Sequence, residues 1–328
     1  MNAQRILRDI QRLRVLVIGD VCLDRWCYYD PDLTEPSRET GIPRLAVVRT
    51  EITPGAAGTI ANNLVSLGVR NVSILGAIGD DGFAWELLRA IRSREIAPDL
   101  LVQSPSVSTF TYTKLINAHT GIEDQPRVDF VSPRDLPSDV ESEIASRLRS
   151  CFDKFDVIIV SDQAETERGG VVTKRVREVL FELSAGSPER VVWVDSRVRI
   201  EHFRNVIAKP NAMEAEQACL RMFQTVDFPR LRETCGFKLL LVTEGENGVR
   251  IIGPDDQDRR VPVRRVKPVD ICGAGDSFSA GAACALAAGG DAVEAAWFGN
   301  LVASITVQKT GTGTASPEEV IAAALESR

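Results

Sequence analysis

The chain has 328 residues, 44% of them hydrophobic and 26% charged, and a formal net charge of −7. That composition is typical of a globular protein of one large or two ordinary domains, and the acidic balance argues against a general grip on nucleic acid or an anionic membrane. No apolar run approaches the roughly 20 residues that span a bilayer, and seven scattered cysteines without a CxxC pair read as reduced thiols of a cytoplasmic protein.

In chain order, "MNAQRILRDIQRLR" has no apolar core followed by a cleavage site, so no signal peptide is expected. It reads as a short amphipathic helix with Ile6, Leu7, Ile10 and Leu13 on one side. "VLVIGD" (15–20) predicts a buried strand, "AGTIANNLVSLG" (57–68) a helix stopped by Gly68, "NVSILGAIG" a strand and "DDGFAWELLRAIRS" a helix opened by acids. The alternation continues with "VESEIASRLRS" (helix), "DVIIVSD" (strand), "GGVVTKRVREVLFELSAG" (helix), "RVVWVDS" (strand), "AMEAEQACLRMF" (helix) and "KLLLVTEG" (strand). Two final helices are expected in "GAGDSFSAGAACALAAG" and "DAVEAAWFGNLVASITVQKTG". Strands alternating with helices imply an α/β fold, a mostly parallel sheet covered on both faces. Ligands of such sheets bind beyond the carboxyl ends of the strands. Gly19-Asp20, Ser161-Asp162, Asp195 and Thr243-Glu244-Gly245 fall at such ends.

Three stretches break the rhythm: "LAVVRTEI" (45–52), "STFTYTKLIN" (108–117) and "QPRVDFV" (125–131) are β-rich with no helix between them. They suggest one domain over 1–328 with a small β lid contributed by segments near 31–54 and 106–131.

"DICGAGDSFSAG" (270–281) places Gly273 and Gly275 around Ala274, sets Asp276 directly after them, and then opens a small-residue helix. N–H groups bared at a helix start suit an anion. A carboxylate there would repel that anion unless it takes a proton from a hydroxyl beside it. The pattern is neither GxxxxGK[ST] nor a complete GxGxxG, because Phe278 stands at the third glycine. An ordinary packing turn has the same glycines. With two histidines, His119 and His202, a catalytic histidine pair is not expected.

"DICGAGDSF" resembles the C-terminal signature of the ribokinase/PfkB sugar kinases. "PGAAGTIANNLVSLG", "AIGDDGF", "KPNAMEAE" and "LLLVTEGENGV" resemble further motifs of that family, in the family's order. "VIGDVCLDRWCYY", "PRVDF" and "KTGTGTASPEE" resemble its heptose-phosphate kinase subgroup. The resemblance implies a ribokinase-like fold and transfer of the γ-phosphoryl group of ATP to a sugar or sugar-phosphate hydroxyl. Asp276 is then the base, with the N–H groups of Gly273, Ala274 and Gly275 as the anion hole. Asp24, Gly55, Ala56, Thr59, Asn63 and Asp162 would bind the acceptor. Asn211, Arg197, Thr243, Gly245, Gly248 and Asn300 would bind the nucleotide, and Glu214 would hold Mg²⁺ through water. The need for a monovalent cation stays open, and the lid implies a homodimer.

Departures from the subgroup fall on the acceptor side. Thr59 stands where Asn is usual and Ala56 where a second glycine is usual. "DSR" (195–197) replaces Asp-Pro-Lys, "SDQAETERGG" (161–170) lacks a tyrosine and a lysine, and Cys272 replaces a threonine. A nucleoside kinase of the same fold, or a non-catalytic sugar or nucleotide binder, stays open as an alternative.

Overall fold

A computed structural model describes residues 1–132, 134–164, 169–254 and 258–326. The amphipathic start forms α1 (Ala3–Ile10), whose Ile6, Leu7 and Ile10 are buried. The chain then builds β1 (Arg14–Gly19), β2 (Val21–Pro36), β3 (Pro43–Ala56), α2 (Ala57–Ser66), β4 (Asn71–Leu75), β5 (Ala77–Gly79), α3 (Gly82–Arg92), β6 (Val102–Ser104), β7 (Phe110–Asn117) and β8 (Val128–Phe130). It continues through α4 (Ser138–Cys151), β9 (Val157–Asp162), α5 (Lys174–Gly186), β10 (Val191–Ser196), β11 (Ile207–Ala208), α6 (Ala212–Phe223), α7 (Phe228–Cys235) and β12 (Leu239–Thr243). An edge pair, β13 (Val249–Ile252) and β14 (Asp258–Val261), precedes three helices, α8 (Ala274–Ala287), α9 (Ala292–Thr306) and α10 (Pro317–Glu326).

The main sheet runs β14-β13-β12-β11-β10-β9-β1-β4, parallel except for the antiparallel β13 and β14. Its central strands are apolar on both faces because helices cover both. Val15, Val17, Ile159 and Trp193 point to the side of α2, α8 and α9. Leu16, Ile18, Ile158 and Val194 point to the side of α4 to α7. The strands' carboxyl ends form one rim, and the first half of α8 is packed closely against α9. A Cβ at Gly281 would lie 3.3 Å from the Gly299 Cα of α9. The Ser277 hydroxyl meets that of Thr306 at 2.8 Å.

A second sheet runs β3-β2-β7-β8, with β2 antiparallel to β3 and parallel to β7. It starts ten residues earlier than the sequence suggests: β2 leaves the rim at Val21, immediately after Asp20. "NVSILGAIG" divides into β4 in the main sheet and β5, which pairs with β6. Val47, Val48, Ile122, Val128 and Phe130 of the second sheet and its loop are exposed. Among the described residues no helix is long and apolar enough to cross a membrane.

Candidate active site

The glycine turn is held from both sides. Asp270 accepts the Cys272 N–H at 2.9 Å and the Gly311 N–H at 3.0 Å, which ties the segment before α10 to the turn. Gly273 caps α8 with φ +77°, a left-handed conformation that glycine adopts without penalty. The Ala274 N–H donates to Ile271 O at 3.2 Å. It is therefore engaged already, unlike the donor the sequence suggests. Among the described residues, the N–H groups of Gly273, Gly275 and Asp276 meet no acceptor, so Asp276 supplies the donor that Ala274 does not. Such orphan donors at a helix start are an anion site in waiting.

Beneath the turn lies a charged cluster. Lys209, which follows β11, places Nζ 2.5 Å from Asp195 Oδ2 at the end of β10, with side chains only 4% and 7% exposed. A Cβ at Gly275 would stand 3.1 Å from that ammonium, so a glycine lets the turn settle onto it. Burial works against the charge of Lys209, yet Asp195 and Glu214 raise its pKa above the ordinary value. Burial, then Asp195, pushes Asp276 up to about 7, while Lys209 pulls it down. Glu214 is likewise raised to about 7 by burial and Asp195. Asn211 and Glu214 form a reciprocal capping box on α6: Asn211 Oδ1 accepts the Glu214 N–H at 2.9 Å, and Glu214 Oε2 accepts the Asn211 N–H at 2.8 Å. Thr243, at the end of β12, bridges to Asn211 and so stands beside this cluster.

Asp276 also faces a cavity of about 220 Å³ between the rim and the second sheet. Asp24, Ala56, Thr59, Arg197 and Gly273 line it with Asp276. Burial raises Asp24 to about 6, against the pull of Lys114. Gly55 lies behind Asp24, where a Cβ would come within 2.5 Å of its Oδ2. Lys114 and Arg127 of the second sheet face the same space. Arg127 pairs with Asp129 and lies over the Tyr112 ring, 4.8 Å from its centroid. Two buried carboxylates, Asp24 and Asp276, and the cationic side chains Lys114 and Arg127 thus share one enclosure with the glycine turn.

Known proteins resemble this chain in sequence and fold. Residues 191–319 match the pfkB family of carbohydrate kinases. The bifunctional protein HldE of Pelobacter propionicus is 31% identical over 98% of this chain, and the chain spans 65% of that relative's length. Ribokinase of Thermotoga maritima superposes with a TM-score of 0.69 at 21% identity, covering 95% of this chain and 99% of its own. Arabidopsis thaliana ribokinase, solved with ribose and ATP, superposes with a TM-score of 0.66 at 17% identity, covering 95% and 98%. The match to the pfkB family thus covers the part of the chain that holds Asp195, Lys209 and the glycine turn. At these structural identities the two ribokinases speak for the fold alone: this chain has the ribokinase fold.

Four of the residues that the PfkB resemblance suggests are engaged within the fold, though the buried Asn63 Oδ1 meets no partner among the described residues. Asn63 is fully buried in α2 and donates to Thr59 O at 3.0 Å, away from the cavity wall. Asp162 is buried in a bidentate pair with Arg199 and also accepts the Ser196 hydroxyl at 2.7 Å. It braces the rim rather than reading a sugar. Asn300 is buried and donates to Val261 O and Pro262 O, fastening α9 to the end of β14. Gly248 is structural too, since a Cβ there would run into the Val261 carbonyl oxygen, whereas Gly245 faces open space. Arg197 lines the cavity with Asp24 and Asp276. The altered stretch at 165–168 lies outside the described residues.

Lys209, Lys114, Arg127 and Cys22 are given no role by the sequence, although three of them fall inside quoted motifs. Lys209 opens the quoted "KPNAMEAE", and Lys114 and Arg127 sit in the β-rich stretches, but only the tertiary fold turns them to the site. Ala56 shows what a departure costs. It caps α2 at φ +53°, ψ −118°, a conformation that strains a residue with a Cβ. Such strain is of order 1–3 kcal/mol, partly offset by the unfolded-state entropy of glycine. Ala56→Gly is therefore expected to stabilise the fold by about 1 kcal/mol, read as a higher melting temperature. An unchanged or lower value would show that the strain is not stored there.

Proposed function

We propose that this chain is an ATP-dependent kinase that phosphorylates a hydroxyl of a sugar phosphate of the heptose or hexose class. The observation that carries this reading is Asp276, set between open N–H groups and a cavity that holds both Asp24 and a cationic wall. Asp24 accepts hydrogen bonds from acceptor hydroxyls, since a carboxylate can take two neighbours at once. Asp276 takes the proton from the hydroxyl that attacks. The N–H groups of Gly273, Gly275 and Asp276 receive the charge that develops on the transferred group. The turn after β12, with Thr243 and Gly245, would take the nucleotide's phosphates.

The residues present fit a hydrated divalent cation. Asp195, Glu214 and Asp276 crowd one ammonium, and burial holds Glu214 and Asp276 well above the usual carboxylate range. Added positive charge would relieve that crowding. Glu214, oriented by its capping box, would hold Mg²⁺ through water, and the ion when bound neutralises phosphate oxygens.

The test is ADP release measured across sugar phosphates, free sugars and nucleosides. Turnover confined to sugar phosphates supports the reading, and turnover confined to nucleosides refutes it. Lys114 and Arg127 favour a phosphorylated acceptor over a free sugar, because hydrogen bonds to charged groups contribute about 1.5–3 kcal/mol. Lys114→Ala is expected to raise KM for the sugar phosphate roughly 10- to 100-fold, with kcat nearly unchanged. An unaltered KM would remove the phosphate from that wall.

The exposed apolar residues of the second sheet favour pairing of two copies through it, which would also close the cavity to water. Val48→Glu with Val128→Glu is expected to yield a monomer with a raised acceptor KM. Sedimentation of the unaltered protein as a fully active monomer would refute the pairing.

A further inference from the structure

Two motifs far apart in the sequence meet in the fold. Phe83 closes "AIGDDGF" in the first turn of α3, and Phe130 closes "PRVDF" at the end of β8. Their ring centroids lie 4.8 Å apart, with the planes tilted by 55°. The Phe83 side is anchored. Asp81, the N-cap of α3, accepts the Ala84 N–H at 2.8 Å and the Thr109 N–H at 2.9 Å, and the Thr109 hydroxyl accepts the Gly79 N–H at 2.9 Å. The first turn of α3 is thereby tied to the root of β7, and Phe83 packs against the main core. The Phe130 side is held more lightly. β8 has three residues, all exposed, and its ladder with β7 pairs Thr111 with Phe130, Tyr112 with Asp129 and Thr113 with Val128. A hairpin edge of that size gains little stability by itself.

What β8 carries bears on the cavity. Arg127, one residue before β8, lines it. Asp129 accepts from Arg127 Nε and Nη2, both at 2.7 Å, and the guanidinium lies over the Tyr112 ring. The Arg127 side chain is thus fixed to the pair of strands β7 and β8, and the ring contact fixes the end of that pair to α3. Arg25, which also lines the cavity, lies over the same Phe83 ring at 5.3 Å from its centroid and pairs with Glu86 of α3. Burial alone is a weak reason for the contact, because Phe130 stays 43% exposed. We propose that the contact between Phe83 and Phe130 is a clasp that sets Arg127 in the cavity before the acceptor arrives. An anionic group of the acceptor then meets a guanidinium that is already ordered, which lowers the cost of binding. Phe83 and Phe130 are positioning residues for the acceptor, acting through Arg127. This inference rests on the kinase reading with a phosphorylated acceptor.

Phe130→Ala is expected to raise KM for the sugar phosphate about 3- to 10-fold, the range of one aromatic contact, with kcat and KM for ATP unchanged. Phe83→Ala is expected to act in the same direction, and Phe130→Tyr, which keeps the ring, to restore the parental KM. Arg127→Ala alone is expected to raise that KM roughly 10- to 100-fold. Phe130→Ala on top of it is expected to add nothing, because one residue acts through the other. Amide exchange at Val128–Phe130 reads the clasp without turnover and is expected to be faster in Phe83→Ala and Phe130→Ala. Phe83 touches the core, so should its variant fail to fold, Phe130→Ala on the exposed strand carries the test. Sedimentation beside the parent separates the clasp from any pairing of copies: a KM raised only in variants that lose a pairing the parent has overturns the proposal. So does a parental KM in Phe130→Ala, an undiminished effect of Phe130→Ala in the Arg127→Ala background, or unchanged exchange in β8. Faster β8 exchange in variants of a protein that phosphorylates no acceptor would instead refute the kinase reading and leave the clasp standing.

Discussion

Replacing Asp276 by Asn is expected to lower kcat by about 10²–10⁴-fold with little change in the Michaelis constant for ATP, the signature of a lost general base. The carboxylate is the group in the turn able to accept the acceptor's proton, whereas the amide keeps the shape and the N–H groups. Burial and the Asp195 carboxylate set its pKa at about 7, so kcat/KM of the free protein should climb as pH rises through that value. Stability should move the opposite way. The folded protein binds the Asp276 proton more tightly than the unfolded chain does, since the group titrates near 7 when folded and near 3.8 otherwise. Its contribution is fully present below about 3.8 and is lost as pH rises through 7. The Asn variant should therefore melt higher than the parent, by a margin that grows from pH 4 and levels off above 7. Turnover near the parental value in a folded Asn variant would remove Asp276 from the chemistry. A melting difference independent of pH would show that the acid is not held against its charge.

Arg199→Leu is expected to destabilise the fold by about 3–5 kcal/mol, the cost of leaving a buried charge without its partner. The guanidinium grips Asp162 through Nε at 2.9 Å and Nη2 at 2.6 Å, with side chains 4% and 0% exposed. It also donates to Gly169 O at 3.1 Å. Its loss would strand Asp162 near Asp20, another buried acid, which burial and Asp162 already raise to about 6. Asp162→Asn with Arg199→Leu should recover much of the loss, since both charges leave together. Denaturant titration reads both. A single-variant cost below about 1 kcal/mol would place the pair among the weak surface pairs.

The central strands were legible because each is an apolar run between turn residues, as in "VIIVSD" and "VVWVDS". β2 was not. "VCLDRWCYYDPDLTEP" carries acids and two prolines, and it is a strand because β3 and β7 pair with it on both edges. Pro31 falls where the pairing with β3 shifts register, a place where a missing N–H is tolerated. The short α7 and the edge strands β13 and β14 offered too little periodicity to separate from loop. In the site, the turn at 270–276 was legible because its residues are contiguous. The cavity wall was not, since Cys22, Lys114, Arg127 and Thr312 meet only after the chain has folded. Asp162, a site acid by the resemblance, stands at a strand end, and its partner lies 37 residues further on. An acid at a strand end looks the same whether it faces a ligand or a buried arginine.

The path of β2 has a mechanical consequence. Asp24 and the far end of the second sheet lie on one strand, β2, which leaves the main sheet's rim one residue after Asp20 and shifts register with β3 past Tyr28. From Asp24 to Pro36 such a strand reaches about 40 Å at the usual rise per residue. A rigid tilt of this strand about Asp20 would act as a lever, moving the exposed tip through a much larger arc than Asp24. A fluorophore on that tip would therefore report such a tilt from a point that touches neither substrate.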